Sequence, residues 1–378
     1  MARDVYERLA RHLDDLPGGY PPTPSGVELR ILRRLFTPEE AELALRLTVI
    51  PEEAPVIARR AGLPRAEASR RLEEMVRKGL VFSIERRGKP PLYMAAQFVI
   101  GIWEYHVNDL DPELVRDVNE YIPYLFDPET WRKAPQLRTV PVGRSIPVEH
   151  EVMDYERAEE LVRGQRRILV APCICRREHR IAGRGCDRPE ETCLIFGIAA
   201  DYYERRGVGR VIDADEALGI LRTAEEAGLV LQPSNARKAV NICCCCGCCC
   251  QVLKCIARHP RPAEIVSSAF EARLDADACA GCGVCVERCQ MDALALGDGR
   301  ARLDPTRCVG CGLCVTTCPA GALSLVRRPG APEVPRTMVE AVYRLGRARG
   351  KLGPGRLALA ALRSRLDRLL ALRGGGGR

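Results

Sequence analysis

The chain has almost no lysine: of its 58 basic residues, 52 are arginine. That skew fits GC-rich codons or adaptation to heat and says little about function. No run of about 18 apolar residues occurs, so no helix is expected to span a membrane. The opening MARDVYERLARHLDDL is charged and has no apolar h-region, so no export signal is expected and a cytoplasmic location is. Neither a dinucleotide fingerprint, a P-loop nor a flavin site is present, which leaves no small-molecule cofactor to expect. The length of 378 residues suits two or three domains.

Cysteine is what the chain has in plenty. All 20 lie between Cys173 and Cys318, and without an export signal this density argues for metal rather than disulfides. The last eight run Cys279-x2-Cys282-x2-Cys285-x3-Cys289 and Cys308-x2-Cys311-x2-Cys314-x3-Cys318-Pro319. Thiolates two residues apart on a tight loop reach three corners of one cubane, and the fourth is carried to the other cluster. Cys279, Cys282, Cys285 and Cys318 are therefore expected on one [4Fe-4S] cluster, and Cys308, Cys311, Cys314 and Cys289 on a second. Residues 277–296 align with 306–325 as an internal repeat, with ten of twenty positions identical. Gly281, Gly283, Gly310 and Gly312 let backbone N–H groups approach the sulfurs.

This segment resembles the bacterial two-cluster ferredoxins. The family usually has proline where Gln290 stands, a departure that bears on local rigidity and not on ligation. Zinc knuckles are the alternative, but they pair C-x2-C with a distant second pair, whereas the triple-plus-one pattern occurs twice here. Two cubanes of about −2 each lower the formal charge of +8 to about +4.

Twelve further thiols precede this segment. Cys173-x-Cys175-x10-Cys186-x6-Cys193 comes first, and Cys243-Cys244-Cys245-Cys246-Gly247-Cys248-Cys249-Cys250 follows, with Cys255 close behind. Adjacent α-carbons are about 3.8 Å apart, too close for an unstrained disulfide. In an extended segment Cys243 and Cys245 face one way and Cys244 and Cys246 the other, and Gly247 allows a reversal. At least one further Fe–S centre is expected, with Cys173, Cys175, Cys186, Cys193, Cys243, Cys245, Cys246, Cys248 and Cys249 as candidate ligands. Both groups are expected to converge on it, with Cys173, Cys175, Cys245 and Cys248 among the ligands. Structural zinc and idle thiols are the alternatives. The layout over roughly 138–325, including RTVPV and SIPVE, resembles a group of uncharacterised prokaryotic 4Fe-4S proteins, a resemblance nearly silent on activity. Arg176, Arg177, His179 and Arg180 follow Cys175. They suit either an anion or proton site, with His179 as acid, or a basic run that offsets cluster charge; the second reading is preferred and no catalytic residue is assigned.

Local signals place the other elements. Thr37-Pro38-Glu39-Glu40 is a capping box opening a helix through Leu47. A second helix spans Val56–Ala61 and a third opens at Pro64, with Ala68, Leu72 and Val76 on one face and Gly79 as cap. Strands over 80–84 and 92–94 flank a turn. The arrangement resembles the winged helices of MarR-type and ArsR-type regulators. Arg65, Arg70, Arg71, Arg77, Lys78, Arg86, Arg87 and Lys89 suit phosphate contacts, but Glu67, Glu73 and Glu74 dilute the patch, so a protein-docking module is preferred to DNA binding. Extended segments are expected at Arg138–Val142 and Ser145–Val148, a helix at Glu156–Arg163, a buried strand at Arg167–Ala171, and a helix capped by Asp213 with Glu216. The C-terminal region carries eleven basic residues and two acids from Arg336 onward. A helix opening at Pro354-Gly355 has Leu359, Leu362, Leu366 and Leu369 in a stripe among Arg356, Arg363, Arg365, Arg368 and Arg373, and Gly374–Gly377 end it in a flexible stub. Such a helix lies on an anionic membrane or acidic partner, or packs on its own protein.

The expected architecture is α+β and multi-domain. It comprises a winged helix (1–105), a cysteine-rich α/β middle domain (106–265), a ferredoxin-like two-cluster domain (266–328) and a basic tail (329–378). The expected role is intracellular electron transfer with redox partner proteins. A redox-sensing regulator and a reductase acting at the middle centre are the rivals.

Overall fold

The computed structural model describes residues 4–145 and 153–373. The expectations for Ile146–Val148 and for Gly374–Gly377 fall outside them. The chain mixes helix and sheet in an α+β manner and forms two compact units.

One unit comprises residues up to Leu125, Asp201–Val208 and Tyr343 onward. Its helices include Val5–Asp14, Val27–Leu35, Pro38–Ala44, Ala54–Ala61 and Arg65–Lys78. Thr37 and Glu40 form the expected reciprocal cap, but the helix stops at Ala44, short of Leu47. Helix Arg65–Lys78 buries Ala68, Leu72 and Met75 and ends at Gly79 with φ +82°. A short strand β1 (Glu52–Glu53) and the hairpin β2 (Val81–Arg86) and β3 (Lys89–Ala95) form an antiparallel sheet in the order β1-β3-β2. Tyr20, Phe98 and Tyr121 pack edge to face, with centroids 4.8–5.9 Å apart. The basic side chains of the third helix and hairpin meet acids: Arg70 pairs with Glu67 and Glu74, Arg71 with Glu67, Lys78 with Glu40 and Arg86 with Glu53.

Helix Pro354–Arg373 packs in this unit by its polar residues. Asp367 is 8% exposed and bonds Arg59 at 2.9 Å and Arg60 at 2.7 Å. Buried Ser364 donates to Glu52 at 2.6 Å, and Arg65 donates to the Ala371 carbonyl. The leucine stripe faces solvent, with Leu359, Leu362, Leu366 and Leu369 between 54% and 66% exposed.

The other unit holds Phe126–Ala200 and Gly209–Val342, and with them every cysteine. Its main sheet uses β4 (Ile168–Pro172), β5 (Glu191–Phe196), β6 (Arg210–Ile212), β7 (Val230–Pro233) and β8 (Asn241–Cys245) in the order β6-β4-β5-β8-β7. Every pairing is antiparallel, the construction of an α+β layer and not of alternating parallel units. β4 is the buried strand expected at Arg167–Ala171. Asp213 caps helix Ala214–Glu226 through the Glu216 N–H, as its sequence indicates. The expected helix at Glu156–Arg163 covers Ala158–Arg163, after a 3-10 turn at Asp154–Glu156. Two small sheets follow: β9 (Phe270–Leu274) with β12 (Leu323–Arg327), and β10 (Leu294–Gly297) with β11 (Arg300–Leu303).

Candidate metal centres

Around the repeat, small apolar residues surround the sulfurs. Ala272, Ala293, Leu294, Ala301 and Leu323 form a buried core with Cys285, Cys308 and Cys314. Cys279, Cys282, Cys285 and Cys318 line one cavity together with Leu274 and Ala301. Cys289 and the thiols of the second repeat form the other group: Cys289 faces Cys308, and Cys311 and Cys314 both face Cys289 and Cys308. Burial pushes Cys311 up to about 12. Backbone N–H groups already point at sulfur, from Ala301 to Cys279 at 3.4 Å, Ala272 to Cys308 at 3.4 Å and Ala293 to Cys289 at 3.2 Å. Such donors stabilise thiolate charge.

The first two of these contacts obey a two-fold rule. Ala272 and Ala301, like Cys279 and Cys308, are equivalent positions of the repeat, so each half donates to the other. The same holds for close backbone approach. A Cβ at Gly281 would lie 1.9 Å from the Gly299 carbonyl oxygen, and one at Gly310 2.0 Å from that of Phe270. The repeat therefore begins before residue 277. Ala272-Arg273-Leu274-Asp275 recurs as Ala301-Arg302-Leu303-Asp304, a signal legible in the sequence and outside the 277–296 alignment.

The middle cysteines, expected to converge on at least one further centre, separate into two groups. Strand alternation explains the first. β5 pairs β8 with Leu194 opposite Ile242, which sets Cys193 beside Cys243 on one face, and Cys245 follows on that face. The contacts run Cys193 to Cys243, Cys243 to Cys245, Cys245 to Cys250, Cys250 to Cys175 and Cys175 to Cys173. Cys173 in turn faces Cys243. Hydrogen bonds from Cys193 and Cys245 hold the Cys243 thiol well below its ordinary value, and those from Cys175 and Cys245 do the same for Cys250. Cys250 was not among the expected ligands. It caps helix Gln251–Ala257, its sulfur accepting the Leu253 N–H at 3.5 Å. Its position just before that helix is the sequence signal for it.

The second group is Cys186, Cys246, Cys248 and Cys249, whose sulfurs all lie within 4.8 Å of one another. Cys186 is 4.0 Å from Cys246 and 3.6 Å from Cys249, and Cys249 is 3.7 Å from Cys248. Burial raises Cys186, but the Arg188 N–H and the three neighbouring thiols outweigh it and bring it down to about 7. Burial lifts Cys246 to about 11. Cys248, expected with Cys173, Cys175 and Cys245, belongs here instead, because the chain reverses after β8. Gly247 makes that reversal against Gln290: its N–H donates to the Gln290 side chain at 2.8 Å, and a Cβ would lie 2.4 Å from the Gln290 carbonyl oxygen. The residue that departs from the ferredoxin pattern is the one that seats the cysteine run. Cys244, 2% exposed, lies on the opposite side of β8, and Cys255 is buried on the helix beyond.

Part of the sequence resembles a known family. Residues 301–324 match the 4Fe-4S binding domain. No curated protein and no solved structure matches the chain. The 4Fe-4S binding domain takes in Cys308, Cys311, Cys314 and Cys318, and at least one [4Fe-4S] cluster follows from it. No helix among the described residues is long and apolar enough to cross a membrane.

The basic run after Cys175 divides by role. Arg176 is 1% exposed. It donates to the Cys244 carbonyl at 3.0 Å, the Thr192 hydroxyl, and the Cys246 sulfur at 3.8 Å, and its Nε has no partner. Burial lowers its pKa, but the charges of Cys173, Cys246 and Cys245 outweigh this and raise it. Arg177 and Arg180 bind Glu190 instead. His179 is 2% exposed, its Nδ1 at 2.9 Å from the Cys175 carbonyl and its Nε2 at 2.9 Å from Lys254 Nζ. Both ring nitrogens are thus engaged by neighbours within the fold.

Proposed function

We propose that this is an intracellular iron–sulfur electron-transfer protein with two [4Fe-4S] clusters in a ferredoxin-like segment and a further cluster in the middle domain. The reading is carried by the cavity that Cys318 lines with Cys279, Cys282 and Cys285, the crossed set that the repeated spacing requires. Cys308, Cys311, Cys314 and Cys289 are the second set. The ring of Cys173, Cys175, Cys193, Cys243, Cys245 and Cys250 is the place for the third cluster, since six thiols with Arg176 beside them supply both ligands and counter-charge. A bound cluster takes up or gives one electron. The chain's own part is to hold the thiolates, exclude water and donate the Ala301, Ala272 and Ala293 N–H groups. Anaerobically purified protein is expected to contain at least eight iron and eight acid-labile sulfide per chain, and about twelve of each with the third cluster filled. Zinc in place of iron at Cys279–Cys318 would sink the proposal.

In this reading residues 1–105 form a winged-helix-like domain that docks protein. The support is the ion pairing of its basic residues with Glu67, Glu74, Glu40 and Glu53, which leaves fewer free charges for phosphates than a regulator's recognition helix needs. The helix Pro354–Arg373 is read as a peripheral contact with anionic lipid. Its leucines face outward among exposed Arg356, Arg363, Arg365 and Arg368, and its single acid, Asp367, is turned inward.

A further inference from the structure

We infer that Cys186, Cys246, Cys248 and Cys249 form a separate site for one tetrahedral metal ion, bound by four thiolates with no bridging sulfide. The distances make the distinction. Four thiolates on one ion at about 2.3 Å stand about 3.8 Å from one another. Three separations in this group are 3.6, 3.7 and 4.0 Å, and no pair exceeds 4.8 Å. Thiolates on a cubane bind four different irons and are spread more widely. In the repeat, Cys279, Cys282, Cys285 and Cys318 line a cavity, and no sulfur set of the repeat closes to the same degree among the described residues.

The surroundings suit a small anionic site. A divalent ion with four thiolates carries a charge of about −2. Two guanidinium groups reach it: Arg188 donates to Cys248 at 3.4 Å and Arg176 to Cys246 at 3.8 Å. Arg188 is itself held by the Ala227 carbonyl at 3.1 Å. Cys246 and Cys249 are fully buried, and Cys248 is exposed, so the site has a closed floor and an open edge through which an ion enters. A soft tetrahedral set of this kind takes zinc or a single iron. Its position is also specific. The Gly247 loop that carries Cys246 and Cys248 rests on Gln290, the residue after Cys289. The ion thus ties the cysteine run to the loop of Cys186, beside the repeat.

Stoichiometry tests this. Cubane iron comes with an equal number of sulfides, whereas this site adds one metal and no sulfide. Untagged full-length protein, purified anaerobically, is expected to hold total zinc plus iron exceeding acid-labile sulfide by one per chain. Cys186→Ser and, as a variant at an exposed position, Cys248→Ser are expected to remove that excess and leave the iron-to-sulfide match unchanged. Cys243→Ser is expected to keep it. An excess of zero in the parent, an excess that survives in both variants, or loss of iron and sulfide in equal numbers from Cys186→Ser would overturn the assignment. If the protein held one zinc and no sulfide, the electron-transfer reading would fail and this site would stand.

Discussion

At the scale of single residues, glycine sets how closely the two halves of the repeat approach. Gly281 and Gly310 have φ of +67° and +72°, and each faces a carbonyl oxygen of the other half. Both strain and overlap oppose a side chain there. Gly281→Ala and Gly310→Ala are each expected to destabilise the segment by about 2 kcal/mol or more. Gly353→Ala, with open space around it, is the neutral control. Urea midpoints and the rate of iron loss to a chelator measure both; an unchanged midpoint in Gly310→Ala would contradict the close packing. The identity of the metal-binding residue type was legible at this scale, because thiolate chemistry belongs to the side chain. The company each cysteine keeps was only partly legible. Cys243 and Cys245 share a face by strand alternation alone, but the grouping of Cys248 depends on a turn seated on Gln290, 43 residues away. His179 shows the same limit: beside a cysteine motif it suggests acid chemistry, and only the fold reveals its two partners.

At the scale of elements, capping signals translated directly into structure because they act within four residues. The Thr37 box and the Asp213 cap are both present. The leucine stripe of Pro354–Arg373 did not declare its direction, since period alone fits burial and exposure equally. The partners that decide it, Arg59, Arg60 and Glu52, lie some 300 residues earlier. Because the polar face is the packed one, the apolar face is available to lipid. The full-length protein is expected to co-sediment with vesicles containing anionic phospholipid and far less with neutral ones. Leu362→Glu with Leu366→Glu is expected to abolish that binding while leaving the iron content unchanged. Equal sedimentation of parent and variant would refute it.

At the scale of the whole chain, the sequence's two ends meet in one unit. Asp14 in the first helix bonds Arg349 and Lys351, both at 2.8 Å. Burial alone would raise the Asp14 carboxyl, but Lys351, Arg349 and the Tyr20 N–H outweigh it and hold it below its ordinary 3.8. A depressed carboxylate contributes stability above its unfolded value and loses it as pH falls through the lower folded one. Asp14→Asn is therefore expected to cost about 1 kcal/mol at pH 7 and to cost progressively less below about pH 4. Urea midpoints read by Trp103, buried in the same unit, follow the difference. A cost that does not shrink with acid would exclude the Asp14 contacts as its source. This joining of ends was not legible, because no short-range pattern links residue 14 to residue 351.

The alternation along β8 has a consequence for biogenesis. In the unfolded chain the seven thiols of 243–250 are chemically equivalent, and any soft ion can crosslink neighbours at random. Pairing with β5 and β7 sets Cys243 and Cys245 on one side and Cys244 on the other, and the Gly247 turn sorts those that follow. Metal that arrives before the sheet forms is expected to meet thiols not yet sorted. Metal that arrives afterwards finds its ligands already sorted by geometry. Inserting one residue between Cys243 and Cys245 would turn Cys245 away from the face it shares with Cys243 and Cys193.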